Sequence, residues 1–451
     1  MRIQEPDTDY LSIDFEARGD PLAQGDAGLA PFFDALEAHA GEWMPEEING
    51  RRRKRYSRTA ALKELKMSVS SLGVRNADFY RASPFAKMWM RIENQPWPHQ
   101  FLVSMSIYPL SLMDEPVRAE RWRRQLIDLL RAWSSHYPVT HALVHGGADA
   151  FFSRRDCKSN IGPEQAPHEW LKAMFWLNVF GKGFVDTLGR ERVLSAPAHL
   201  IEELPNGAVL IVTHPTVADW RSHEARRAQA RALVHLRPDL DFDAALSVLR
   251  ERSAKLEPVE QRFDPDSSPF FKRVVNRFSA DEHWEKIREL NALQPPEVDE
   301  WLPARAAPPS DVANPSAAAA EYRGLADDLS ILLHPDVPSL HEATPASLTD
   351  IDYRLWWEKF PDFYEREKID HSLFPAVGAY LGEMLVRHLG GRWVPRRNVE
   401  ESQVIVGDRA WLPYLRVRRY LRSTQALLDY SLTKFYRAVE RERLLVSKPG
   451  S

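Results

Sequence analysis

Between Phe85 and Ile107 the chain twice repeats an alternation that suits an extended strand and little else. Ala86, Met88, Met90 and Ile92 take turns with Lys87, Trp89, Arg91 and Glu93. After a Gln95-Pro96-Trp97-Pro98 break, Phe101, Val103, Met105 and Ile107 resume the period of two. Successive side chains of a strand point to opposite faces, so each run offers one face to a core and one to water. Two such runs joined by a short proline-bearing link predict antiparallel neighbours.

The period then changes. Asp114 is placed to cap a helix with Pro116 in its first turn, and Trp122, Leu126, Leu129, Leu130 and Trp133 fall on one stripe. Leu29–Ala40 predicts a short helix, and Val139–His145 a further strand that ends at Gly146-Gly147. Glu169–Phe180 is apolar almost all round and predicts a buried helix. Pro205-Asn206-Gly207 turns the chain into a strand at Ala208–His214, followed by helices at Ala225–Leu236 and Phe242–Leu256. Strands and helices in this order, without strict βαβ alternation, give an α+β fold: an antiparallel sheet with packed helices.

A length of 451 residues exceeds what one core usually serves. Residues 295–315 hold six prolines and little periodicity, so we place a linker at 291–315 between domains at 1–290 and 316–451. Beyond it Tyr322, Leu325, Leu329, Leu332 and Leu333 form a helical stripe, with Asp327 and Asp328 on the other side. Thr349 and Asp352 have the spacing of a capping box for a helix carrying Trp356 and Trp357. Pro375 begins and Gly390 ends another helix, and a last long one carries Leu421, Leu428, Leu432, Phe435 and Val439. Arg392–Arg397 and Ser402–Val406 predict a small β-hairpin, so the second domain reads as mainly helical.

Fourteen tryptophans imply thick cores or an aromatic binding face. The lone Cys157 rules out an internal disulfide framework and any multi-cysteine metal site. The first residues lack the basic start and apolar run of a secretory signal, and no stretch reaches the roughly twenty apolar residues of a membrane span. The expectation is a cytoplasmic protein that engages no membrane. A net charge of −4 gives no global case for nucleic-acid binding. Its distribution is uneven, with eleven acidic against two basic side chains at 295–352 and ten basic against three acidic at 409–448. Arg51–Arg55 is a second basic cluster.

Each catalytic motif that the sequence offers is incomplete. His141 and His145 would share a zinc ion on a helix, but strand rise separates them by about 13 Å. His145-Gly146-Gly147 resembles an esterase oxyanion loop without any G-x-S-x-G partner. Gly181-Lys182-Gly183 lacks the spacing of a phosphate loop. Pro361-Asp362 with Glu365-Arg366-Glu367-Lys368 superficially matches a restriction-type nuclease, but Arg366 stands where a carboxylate is required. Glu46 with Glu47, or Asp327 with Asp328, are ordinary adjacent surface acids. No enzyme, cofactor or metal is expected.

Trp176-Leu177-Asn178-Val179-Phe180-Gly181-Lys182-Gly183-Phe184-Val185-Asp186-Thr187-Leu188-Gly189 resembles a pattern near the end of small bacterial immunity proteins. It continues through Leu194-Ser195-Ala196-Pro197 and Leu204-Pro205-Asn206-Gly207-Ala208-Val209-Leu210. The resemblance is to the immunity protein 52 family of polymorphic toxin systems, over residues 10–257. Gly378-Ala379-Tyr380-Leu381-Gly382-Glu383 with Gly390-Gly391-Arg392-Trp393 looks like a helix-then-GGxW module of uncharacterised bacterial proteins. The first resemblance implies an antitoxin that binds and blocks a cognate effector, of nuclease type and delivered by type VI secretion. Because a nuclease presents a positive groove, the acidic segment is the natural complement. Asp327, Asp328, Asp350, Asp352, Trp356 and Trp357 are therefore the expected toxin-binding residues, and the Trp89/Arg91/Glu93 strand face is the next choice. The alternatives are an adaptor of a secretion apparatus, or a hydrolase.

Overall fold

A computed structural model describes residues 9–49, 53–67, 69–70, 73–93, 100–155, 171–278, 280–333, 336–362 and 364–446. The expected Gln95–Pro98 break, the start of the Glu169–Phe180 run, Arg51, Arg52 and Cys157 lie outside them. The chain divides into two compact units, Met1–Pro258 and Val259–Ser451.

The first unit is built on one antiparallel sheet of ten strands: β1 (Leu11–Arg18), β2 (Glu47–Asn49), β3 (Arg53–Arg55), β4 (Arg75–Arg81), β5 (Phe85–Glu93), β6 (Gln100–Tyr108), β7 (Val139–Gly146), β8 (Leu177–Phe180), β9 (Leu200–Glu203) and β10 (Val209–Val212). Their order across the sheet is β3-β2-β4-β5-β6-β1-β7-β8-β10-β9. The two alternating runs pair as expected, with Met88 opposite Met105 and Trp89 opposite Ser104. Every apolar member of the alternation, from Ala86 to Ile107, is buried.

Helices α1 (Ala30–His39), α2 (Arg58–Met67), α3 (Pro116–His136), α4 (Gly147–Arg155), α5 (Lys182–Leu188), α6 (Arg190–Leu194), α7 (His223–Leu236) and α8 (Phe242–Lys255) complete the unit. The predicted stripe of α3 is buried, and Trp133 stacks on Phe32 of α1 at 4.6 Å while meeting Phe15 of β1 edge-on. The cap of α3 is Glu115, whose carboxylate accepts from the Val117 and Arg118 N–H groups, one residue after the expected Asp114. The expected helix at Glu169–Phe180 is not one. Leu177–Phe180 is a strand with all four residues buried between β7 and β10. A strand covered on both faces reads as a continuous apolar run, which periodicity cannot tell from a buried helix.

The second unit holds α9 (Ser268–Val275), α10 (Ala280–Ala292), α11 (Pro315–Leu333), α12 (Pro345–Trp357), α13 (Arg366–Lys368), α14 (Phe374–Leu389), α15 (Pro413–Tyr420), α16 (Thr424–Asp429) and α17 (Leu432–Val446). A small sheet accompanies them, with β11 (Trp301–Pro303), β12 (Arg392–Val394), β13 (Gln403–Val406) and β14 (Arg409–Trp411) in the order β11-β14-β13-β12. The expected hairpin is its β12–β13 pair. The axis of this core is α14, buried without a break from Ala376 to Leu385. A Cβ on Gly382 would stand 2.1 Å from the Trp393 ring, and Trp393 Nε1 donates to Glu383 Oε1 at 2.9 Å. The glycine, glutamate and tryptophan of the sequence module thus form one packing contact between α14 and β12. The expected single C-terminal helix is three, broken where the Ser423 and Ser431 hydroxyls accept from the Ala426 and Lys434 N–H groups.

The stretch expected to be a linker lies inside this unit. β11 pairs with β14, and Pro303 sits on an edge strand, where a missing N–H costs no ladder bond. Glu300 is fully buried, and Arg416 of α15 reaches its carboxylate at 3.3 Å. The Arg409 guanidinium covers the Trp301 ring at 3.9 Å, and Ser310 donates to the Pro395 carbonyl. Proline enrichment signalled irregular backbone, which serves a packed strap as well as a free linker. Glu300→Ala is expected to destabilise the second unit by about 3–5 kcal/mol, because Arg416 would remain buried and unpaired. Chemical denaturation of the full chain measures this, and limited proteolysis should spare 297–303.

Candidate functional site

One constellation in the first unit has the composition of a catalytic site. His145 at the end of β7 places Nε2 2.6 Å from Asp149 Oδ2, on the first turn of α4. The Arg226 guanidinium of α7 donates to both Asp149 oxygens at 2.8 and 3.0 Å, and Arg252 of α8 stands 3.5 Å from Oδ1. Burial alone would raise the Asp149 carboxyl, but Arg252 and Arg226 outweigh it and hold it well below the usual carboxylate range. Burial lowers His145, and its Nδ1 accepts from the Trp176 N–H at 3.2 Å. The hydrogen bonds therefore assign a neutral imidazole with its proton on Nε2. His145, Asp149 and Arg226 are each at most 1% exposed, so no substrate atom reaches them. Here the charges join β7, α4, α7 and α8.

Gly146-Gly147, read beside an oxyanion loop, has a steric cause instead. A Cβ on Gly147 would lie 2.2 Å from the Tyr10 ring, and one on Gly146 2.4 Å from Trp220 Nε1. His141 is occupied differently from His145, stacking on Phe180 at 5.7 Å. Among the described residues no group of three or more His, Cys, Asp or Glu is placed to hold a metal ion.

The six residues expected to bind a toxin are not gathered on one surface. Asp327 and Asp328 are exposed on α11, as their position opposite the stripe required. Asp350 is half-buried, ion-paired with Arg273 and bonded by Ser339. Asp352 is completely buried and belongs to no binding face. It lies inside α12, which starts at Pro345, so the capping box with Thr349 does not form. The carboxylate caps a different helix, accepting from the Leu432 and Thr433 N–H groups of α17 at 3.0 and 2.9 Å. Trp356 is partly buried and packs against the core, while Trp357 is 46% exposed beneath the Arg277 guanidinium at 3.9 Å. A basic residue covers the one exposed ring of the expected acidic patch.

Three surfaces stand open among the described residues. On α11 the predicted stripe is narrower than expected: Tyr322, Ala326, Leu329 and Leu333 are buried, but Leu332 is 51% and Ile331 76% exposed. They lie one turn after Asp327 and Asp328 on the same face. In the first unit, a recess of about 690 Å³ beside the start of α3 is lined by Glu120, Arg123, His199 and Asp219 among others. Hydrogen bonds from Arg123 push the Glu120 carboxyl down to about 2. A groove of about 340 Å³ runs along a face of β5, β6 and β1 that the described residues leave uncovered, beside α4. It includes Trp89 of the second-choice strand face, but not the ion-paired Arg91 and Glu93. The serines of that face escaped notice in the sequence because small hydroxyls alternating with apolar residues read as an ordinary wet strand.

No family model matches the chain, and no curated protein matches it. Among solved structures, a Pseudomonas aeruginosa T6SS protein is similar at 12% identity, covering 55% of this chain and 89% of its own, with a TM-score of 0.30. A superposition that loose does not establish a common fold. No helix among the described residues is long and apolar enough to cross a membrane.

Asp149→Ala is expected to cost about 3–5 kcal/mol, because two guanidinium groups would be left buried without their anion. Urea denaturation measures it, and a loss below 1 kcal/mol would contradict the assignment. Asp352 gives a pH signature. Burial pushes its carboxyl up to about 6 against an ordinary 3.8, although the N–H and hydroxyl donors of Leu432 and Thr433 oppose this. A raised folded-state value means that protonation favours the fold. Its contribution is complete below 3.8 and is lost as pH rises through about 6. Wild type should therefore gain stability relative to Asp352→Asn as pH falls from 7 to 4, with no further gain below, in paired melting curves.

Proposed function

We propose that this chain is an immunity protein that acts by binding, neutralising a cognate secreted toxin of nuclease type through direct stoichiometric contact. The observation that carries this reading is the exposed end of α11. Ile331 and Leu332 stand in water at 76% and 51% exposure, one turn after Asp327 and Asp328. Local stability explains none of this. Exposed aliphatics gain nothing from solvent, and acids in the C-terminal half of a helix gain nothing from its dipole. The last turn of α11 also carries no basic residue to complement that dipole.

A partner with a positive groove would make sense of both features. Covering the two aliphatic side chains supplies about 1.5–3 kcal/mol each, and the aspartates speed and orient encounter. The enclosure of the His145–Asp149 pair also supports binding over catalysis, since its ionic groups already satisfy one another away from solvent.

The test is co-expression with the toxin-like product of the adjacent gene, followed by titration of toxin activity and affinity measurement. Inhibition should saturate at a fixed molar ratio, since a catalytic antidote would act substoichiometrically. The double change Ile331→Ser and Leu332→Ser should weaken affinity about tenfold or more. Asp327→Lys with Asp328→Lys should slow association and flatten its salt dependence. Full affinity in both double variants would remove α11 from the interface, and no binding at all would end the immunity reading.

A further inference from the structure

The groove on the open sheet face has a chemistry unlike that of α11. Its floor is a comb of hydroxyls with a carboxylate: Ser104 and Ser106 of β6 beside Ser12 and Asp14 of β1. Register sets their arrangement, because Trp89, Ser104 and Asp14 are direct cross-strand neighbours, as are Lys87, Ser106 and Ser12. Neighbouring strands are about 4.8 Å apart, so each row spans about 10 Å from β5 to β1. The Ser12 hydroxyl donates to Asp14 Oδ2 at 2.9 Å and steadies the carboxylate.

Two aromatic rings stand over this floor from opposite sides. Trp89 rises from β5 at 37% exposure, and Phe151 from α4 at 46%. Both belong to the groove lining. At the groove's end Tyr10 and Tyr108 stack at 4.8 Å. Gly147 permits that arrangement, since a Cβ there would meet the Tyr10 ring. An exposed ring on each side with polar groups beneath is unusual for a bare sheet face, where aromatics ordinarily turn into the core.

Charge narrows the ligand class. Lys87 and Asp14 give the lining no net charge, and Lys87 and Arg91 flank Trp89 along its own strand. A cationic ligand over the indole would meet Lys87, and an anionic one would meet Asp14. What fits is a neutral molecule with apolar faces and a polar edge that both donates and accepts. A pyranose ring has this form. Its axial C–H groups pack on aromatic faces, and its vicinal hydroxyls can donate to a carboxylate while exchanging hydrogen bonds with serines and a lysine.

We propose that this groove is a carbohydrate-binding site for a neutral oligosaccharide, with a sugar ring held between Trp89 and Phe151 over Ser104, Ser106 and Asp14. The site is separate from α11 and does not depend on the immunity reading.

The probes are maltotriose, cellotriose and tri-N-acetylchitotriose, offered at millimolar concentration to the full chain and followed by saturation-transfer NMR and calorimetry. At least one should bind. Trp89→Ala and Asp14→Asn should each weaken that binding about tenfold or more, and Ser104→Val should weaken it to a lesser degree. Val248→Ala, which trims an exposed apolar side chain of α8, should leave it unchanged. Circular dichroism checks that each variant folds. Absence of binding by all three saccharides overturns the proposal, as does binding that ignores both Trp89→Ala and Asp14→Asn. Adenosine serves as a flat aromatic control. If it binds where no saccharide does, the groove selects planar rings and the proposal fails.

Discussion

A carboxylate removed from water must find donors on every side, and in the first unit that requirement falls on Asp149. Its two oxygens are met by Arg226 and His145, with Arg252 close by, so the anion fixes where α4, α7 and α8 stand against the end of β7. The arrangement is self-limiting. Arg226 is as buried as the anion it meets and Arg252 nearly so, and withdrawing the carboxylate would leave both charges without it in an apolar surround. The sheet supplies a rigid edge, the ionic cluster sets the helices upon it, and the glycines after His145 admit Tyr10 and Trp220 at distances no other residue allows.

The second unit solves the same problem at several smaller points. Glu300 and Arg416 hold the 291–315 stretch against α15, and Asp352 of α12 takes the Leu432 and Thr433 N–H groups at the start of α17, beside the Lys434 N–H that Ser431 takes. Both carboxylates come from segments that looked peripheral in the sequence. Both act across long chain separations, so their partners depended on the packing of α14 and its neighbours. The charge asymmetry of 295–352 therefore divides into buried ties such as Glu300 and Asp352 and solvent-facing acids such as Asp327 and Asp328.

The α11 end and the sheet groove differ in kind. The α11 end combines aliphatic area with negative charge, which suits a folded protein with a basic surface. The sheet groove combines two exposed rings with hydroxyls and balanced charge, which suits a small neutral ligand. They lie on different compact units.

The sequence by itself determined the parts whose signal is local. The alternation of β5 and β6, the α3 stripe, the solvent position of Asp327 and Asp328, and the β12–β13 pair were all legible, because periodicity reports which face is buried. The fate of residues whose partners lie far along the chain was decided only by tertiary structure. Leu177–Phe180 became a strand because β7 and β10 pair along both its edges, and Asp352 became a buried cap because α17 begins beside it. Trp356 and Trp357, adjacent and chemically identical, were separated by the direction each takes from α12, the first against the core and the second toward solvent. The hydroxyl floor under Trp89 likewise came from cross-strand register, which places Ser104 and Asp14 side by side although ninety residues of chain separate them. Local pattern records the environment of a residue, whereas a site is made of residues that share one environment, and only the folded chain brings those together.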